Sequence, residues 1–491
     1  MYNKLVGRSV EIATLQNLFE SNKPEFLALY GRRRVGKTYL IRQFFYEKKN
    51  TIFFNVTGSK DGSRANQLLH FIQQIGKVFY GGVALAVPKN WNDAFNILTK
   101  AINKQAQDKK IILFFDEVPW MATKKSMFLL ELDYYWNQYW SNDNRIKLIV
   151  CGSSASWIIQ KIINNKGGLH NRVTKRIYLE PFTLTETKSF LESQGIKLKQ
   201  QQVLMIYMIM GGIPYYLSHI EKGLSATQII EKLAFTEGGI LLDEFDNLFS
   251  SLFEQSELYI RFIKIIASRR YGIGQSELLK AVGSVVQGGV GIKVLRDLEG
   301  TGFITSFMPY GHKREGIYYR LVDEYIYFYY KWIAPIRRTL QRKSLDKGNW
   351  QVMQKSSEWY NWLGYAFEAI CYKHISAIRK ALSIAPDAVA NTWRYVPRIG
   401  SNMRGSQIDL LFDRADDAIT LCEIKYCDKP FTITKEYVDV LKRKIEVFKE
   451  QTKTKKQLFF SFISINGIKN NFYAEDMVSN VVMLDDFFRD K

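Results

Sequence analysis

At 491 residues the chain exceeds one ordinary core and predicts about three domains. With 46% hydrophobic and 24% charged residues it is neither disordered nor fibrous, and its 14% aromatics, scattered through apolar-periodic segments, read as core. The formal net charge of +21 points to an anionic polymer partner, because Lys and Arg set on phosphates release condensed counterions; a generally basic surface is the alternative.

The opening segment, MYNKLVGRSVEIATLQNLF, lacks the apolar run of a signal peptide. No apolar run reaches the roughly 18 residues of a membrane-spanning helix, so no membrane association is expected and the cytoplasm is the expected compartment. Four cysteines, Cys151, Cys371, Cys422 and Cys427, are too few for a disulfide scaffold and lack the paired spacing of a zinc site.

The first half alternates short apolar runs with helical patterns, the sign of a parallel sheet built from β-α units. The runs are FLALY (26–30), TIFFNV (51–56), IILFFDE (111–117), IKLIVCGSS (146–154) and RIYLEPF (176–182). From Leu184 to about Glu254 helical periodicity dominates, as in a helical lid. Residues 255–335 then read helix, helix, helix, hairpin, the order of a winged helix-turn-helix, and 336–355 form a basic connector. The last unit, 356–491, opens with an aromatic-rich helix. IDLLFD and AITLCEIKY follow as strands, then the long helix EYVDVLKRKIEVFKEQ, the strand QLFFSFIS and a closing VVMLDDFF.

Gly31-Arg32-Arg33-Arg34-Val35-Gly36-Lys37-Thr38 is a complete G-x-x-x-x-G-K-[ST] motif between a strand and a helix. Its glycines let consecutive N–H groups turn inward around phosphate oxygens, and the helix that follows adds the positive end of its dipole. Lys37 is expected on the β- and γ-phosphates and Thr38 on Mg²⁺. Asp116 and Glu117 end a buried strand, where Asp116 would hold the Mg²⁺ shell and Glu117 would orient and deprotonate the attacking water. ATP with Mg²⁺ is therefore the expected ligand. Ser153 or Ser154 either bonds the γ-phosphate or the water, or caps the next helix. Arg172 either supplies positive charge from a neighbouring subunit, which implies a homo-oligomer, or is a basic turn.

The P-loop, the DE and CGSS strand ends, GGIPYYL (211–217) and LVGRSVEIATLQNLF together resemble the archaeal-type ATPase family, related to the STAND branch of AAA-like NTPases. The resemblance implies an ASCE-type α/β core over 1–183 and a lid over 184–254. It also implies that Arg8 lies close to the nucleotide and that Pro214 packs near its base. Asn171 stands where that family usually has Gly before the arginine.

In the winged-helix reading, Lys293 and Arg296 on the third helix and His312, Lys313 and Arg314 in the wing suit DNA phosphates better than base edges. A packing or switch role is the alternative. The C-terminal unit resembles the domain usually appended to this family, an α/β restriction-endonuclease-like PD-(D/E)xK fold. That implies Glu368, Asp409 and Glu423 as Mg²⁺ ligands and Lys425 as the residue that orients water or stabilises charge. A degenerate fold kept for binding or dimerisation is the alternative. The expectation as a whole is an ATP-hydrolysing protein acting on DNA, against a STAND-type regulatory switch or a winged-helix regulator.

Overall fold

A computed structural model describes all residues except 1–4, 47, 124, 165–168, 170, 284–288, 312–315, 342–347, 398–399, 401–403 and 490–491. The chain forms two compact units. The first contains Met1–Pro181, Ile213–Tyr215 and Ile292–Gly302; the second contains Phe182–Gly212, Tyr216–Gly291 and Phe303–Lys491.

The five apolar runs of the first unit become β1 (Glu25–Tyr30), β2 (Thr51–Thr57), β3 (Lys110–Asp116), β4 (Ile146–Gly152) and β5 (Lys175–Tyr178). All neighbours are parallel, in the order β2-β3-β4-β1-β5. Strands covered on both faces need continuous rather than alternating apolar sequence, and every residue of β4 is buried. The order inserts β4 between the strand before the P-loop and the strand ending in Asp116, so three carboxyl ends meet along one edge. The aromatics pack as the composition predicts. Phe54, Phe71, Trp91, Phe95, Phe115, Phe128 and Trp140 share one buried cluster, with Trp91 edge-on to Phe128 at 4.8 Å.

In the second unit the helices Leu184–Ser193 and Ala226–Ala234 begin with complete capping boxes, Thr183 with Glu186 and Ser225 with Gln228. Residues 255–335 supply the helices Ser256–Ala267 and Gln275–Val282. They also supply an antiparallel sheet of β6 (Ile273–Gly274), β7 (Ile304–Phe307) and β8 (Tyr318–Leu321) in the order β6-β8-β7. The expected third helix, Val290–Gly300, groups from Ile292 onward with the first unit. There Ser156 Oγ donates to Asp297 Oδ1 at 2.8 Å, and a Cβ on Gly300 would sit 3.0 Å from the Ser156 amide nitrogen. The boundary read at 255–335 therefore does not follow compactness. His312, Lys313 and Arg314 lie outside the described residues.

The C-terminal sheet has β9 (Val389–Tyr395), β10 (Ser406–Asp413), β11 (Ala418–Lys425), β12 (Gln457–Ser464) and β13 (Asn480–Val482). Its order is β13-β12-β11-β10-β9, antiparallel from β9 through β11 and parallel from β11 through β13. The parallel step needs a long crossover, supplied by the helix Lys435–Thr452 with Thr434 as its N-cap. β9 escapes sequence reading because VANTWRY has little apolar alternation, as suits an edge strand.

Candidate functional site

The P-loop leaves β1 at Gly31, whose φ of +147° is closed to other residues; a Cβ there would lie 2.3 Å from the Leu179 carbonyl oxygen. Arg34 takes a left-handed φ of 72° and Gly36 one of 91°, after which the helix Lys37–Tyr46 begins. Lys37 is buried, and its Nζ donates to the carbonyls of Gly31 and Arg32, both at 2.9 Å. The ammonium thus lies curled over the loop that carries it.

Thr38 Oγ1, on the helix Lys37–Tyr46, donates to Asp116 Oδ2 at the end of β3 at 2.7 Å. The other Asp116 oxygen accepts from the Glu117 amide at 3.0 Å. Two hard oxygens side by side are a donor set that suits Mg²⁺. Glu117 sits at φ 48°, ψ 48°, a conformation that costs a non-glycine residue of order 1–3 kcal/mol and is commonest at functional sites. Its carboxylate accepts from the Ser153 amide at 3.1 Å and from the Ser153 hydroxyl. Ser153 thus holds the acid itself, a use outside both sequence alternatives. Ser154 stands at the start of the helix Ala155–Ile158 without a side-chain capping bond. Behind the acids, burial and then Asp116 push the Cys151 thiol well up, so it stays protonated.

Arg8 is buried and braces the loop. Its Nη2 donates to the Val35 carbonyl at 3.2 Å and its Nη1 to the Glu180 carbonyl at 2.6 Å. Of the three loop arginines, Arg32 is buried with Nη1 donating to the Arg33 carbonyl at 3.4 Å, and Arg33 is half-buried. The Arg34 guanidinium lies 4.0 Å from the ring centroid of Tyr215, next to Pro214. Tyr215 was not singled out from sequence; an aromatic directly after the proline of GGIPYYL is the signal that points to it. Arg172 is exposed in the turn before β5, and the carboxylate it faces is Asp133 on the helix Phe128–Gln138.

In the second unit Asp409 on β10 and Glu423 on β11 are neighbours across the antiparallel register set by Leu410 and Cys422. Asp409 Oδ2 accepts from the Ile424 amide at 3.0 Å and Oδ1 from Gln407 at 3.1 Å. Glu423 accepts from Tyr437 Oη at 2.8 Å and from Lys444 Nζ at 2.6 Å, and Lys425 Nζ lies 2.9 Å from it. Glu368 is engaged by Tyr372 Oη at 3.0 Å and by Arg270 at 3.4 Å. Burial, then the charges of Glu423 and Glu368, push the Asp409 carboxyl up to about 7. Burial works against the Glu423 charge too, but Lys444 and Lys425 outweigh it and hold that carboxyl below the ordinary range. Burial likewise opposes the Lys425 ammonium, and Glu423 overcomes it.

Asp409 feels the charge of both other acids, yet each of the three is satisfied by protein donors. Among the described residues no group of three or more His, Cys, Asp or Glu side chains is assembled to hold a metal ion. Asp409 and Glu423 are the pair whose chemistry suits a divalent cation, and Glu368 is drawn toward Arg270. Sequence reading missed Tyr437 and Lys444, which lie about two turns apart on one face of their helix.

Residues 5–220 match a family profile described as an ATPase domain predominantly from Archaea, so this part of the chain is an ATPase domain of that kind. The chain is 25% identical over 455 residues to the uncharacterized protein MJECL04 of Methanocaldococcus jannaschii, covering 89% of this chain and 91% of that protein. A 44-residue segment is 48% identical to the uncharacterized ATP-binding protein MJ0423 of the same organism, covering 9% of this chain and 75% of that one. Among solved structures, the Walker-type ATPase paby2304 of Pyrococcus abyssi is similar at a TM-score of 0.47 and 15% identity, over 66% of this chain and 95% of its own. The Aeropyrum pernix ORC2 protein in its ADPNP–ADP complexes is similar at a TM-score of 0.45 and 13% identity, over 69% of this chain and 95% of its own. Among the described residues no helix is long and apolar enough to cross a membrane.

Proposed function

We propose that the chain is a Mg²⁺-dependent ATPase that acts on DNA. The observation that carries the ATPase chemistry is the meeting of the Lys37 loop, the Thr38–Asp116 pair and the Ser153-held Glu117 at one sheet edge. The inward-facing amides of residues 31–38 receive the phosphates, and Lys37 exchanges the Gly31 and Arg32 carbonyls for β- and γ-phosphate oxygens. Thr38 and Asp116 would hold Mg²⁺, which when bound neutralises charge on the phosphates. Glu117 accepts a proton as water attacks the γ-phosphorus, and the bond to the β-phosphate oxygen breaks to leave ADP and phosphate. Arg8 acts by holding the loop at Val35 rather than by touching phosphate. Pro214 with the Arg34–Tyr215 stack makes the wall for the base, and Arg172 is the charge a neighbouring copy would offer.

Steady-state turnover and equilibrium nucleotide binding test this reading. Lys37→Ala is expected to abolish both. Glu117→Gln keeps binding and loses at least about a hundredfold in kcat, the usual worth of a general base. Wild-type turnover in Lys37→Ala sinks the proposal.

The DNA reading rests on the net charge of +21 and on the basic face of the helix Val290–Gly300, where Lys293 and Arg296 are exposed. The adjacency of Asp409, Glu423 and Lys425 favours a second activity, Mg²⁺-dependent scission of the phosphodiester backbone. In it Asp409 and Glu423 hold the cation and Lys425 steadies the developing charge. Plasmid nicking in Mg²⁺ that Lys425→Ala abolishes supports that activity. Nicking that survives Lys425→Ala removes the assigned site.

A further inference from the structure

Beside the Asp409–Glu423 pair, the second unit carries a solvent-open cavity of about 300 Å³ whose walls include Tyr271, Arg394, Ser406, Gln407, Arg443 and Lys444. β9 sets Arg394 directly opposite Gln407 of β10, and cross-strand partners share a face. Two wall residues are also direct partners of the acids. Gln407 donates to Asp409 at 3.1 Å, and Lys444 donates to Glu423 at 2.6 Å.

The cavity has three features that call for an anion. Arg394 and Arg443 are both exposed, and among the described residues neither pairs with a carboxylate. The Arg394 guanidinium lies 4.2 Å from the ring centroid of Tyr271, a cation–π contact that helps hold the cation at the cavity wall. The Ser406 hydroxyl is buried and, among the described residues, has no hydrogen-bond partner. Two guanidinia without a carboxylate partner among the described residues, lining the same cavity as an orphaned buried hydroxyl, suit a ligand with several acceptor oxygens. A phosphodiester offers two such oxygens for one charge. A ligand of higher charge meets more repulsion from Asp409 and Glu423 close by.

We propose that this cavity seats a backbone phosphodiester of DNA next to the carboxylate pair, bound by Arg394, Arg443 and Ser406. The proposal rests on the reading that the chain acts on DNA and names where the backbone is held.

Binding of a labelled DNA duplex to the full chain, followed by fluorescence anisotropy across a salt series, tests it. Arg394→Ala/Arg443→Ala is expected to weaken binding at least about tenfold, as for charge-assisted hydrogen bonds. It should also reduce the slope of log affinity against log salt by about 0.9, the share of one phosphate. Lys449→Ala, a single charge removed from the helix that carries Arg443 but away from the cavity, should change neither. Unchanged ATP turnover and melting of the double variant show that it is folded. Wild-type affinity and slope in the double variant overturn the cavity assignment alone, as does an equal loss in Lys449→Ala. Failure of the wild-type chain to bind DNA even at low salt removes the DNA reading itself. Inorganic phosphate and an RNA duplex of the same sequence are the remaining arms. Phosphate binding lost in the double variant while DNA affinity stays assigns the cavity to a free anion and overturns the proposal, as does a preference for the RNA.

Discussion

Glu117 condenses the physics of the candidate ATPase site into one residue. Its left-handed backbone is strained, and the structure offsets that strain by giving the carboxylate two donors from Ser153. The serine is therefore expected to orient the base rather than to bind nucleotide. Ser153→Ala should lower kcat roughly tenfold with ATP affinity unchanged, the cost of one hydrogen bond to a charged group. A parallel loss of affinity, read by equilibrium binding, would return Ser153 to the phosphate. The sequence identified Ser153 as a polar strand end. It could not identify the partner, because Glu117 is brought to it by strand order and not by spacing.

At the level of elements, the helix Ser357–Lys373 ends on His374, which ties the C-terminal region to the helix Leu184–Ser193 within the second unit. The Leu184 amide donates to Nε2 at 3.3 Å, and Nδ1 lies 2.9 Å from the Ile370 carbonyl, so these partners assign the proton to Nδ1. Burial pushes this imidazole down from its ordinary 6.5 to about 4. A group depressed on folding in this way must stay neutral to keep its bonds. Its contribution is whole above pH 6.5 and is lost progressively as pH falls toward 4, in all roughly 3 kcal/mol. Denaturant titrations of the wild type and His374→Asn at several pH values should show the acid-side loss in the wild type and not in the variant. Equal slopes would refute the linkage. The same scale explains why helices and buried strands were legible while β9 was not: periodicity reports burial, and a half-exposed edge strand has little of it.

For the whole molecule, two compact units imply that nucleotide acts first on the unit that holds the P-loop. Mg-ATP at about a hundred times its Kd should raise the stability of that unit by about 2.7 kcal/mol, visible as an upward shift of one calorimetric transition. Lys37→Ala should abolish the shift, and a shift that persists in it would place the nucleotide elsewhere. By itself the sequence determined the parallel α/β core, the phosphate loop and the Asp116–Glu117 strand end. Each is encoded by contiguous residues, whose backbone geometry and apolar period act over a few positions. Only tertiary structure decided that Arg8 braces Val35, that Tyr215 stacks on Arg34 and that Ser156 ties Asp297 into the first unit. It alone also surrounded Glu423 with Lys444 and Tyr437. These pairs join residues far apart in the chain, and what unites them is sheet register and packing, for which one-dimensional spacing carries no signal.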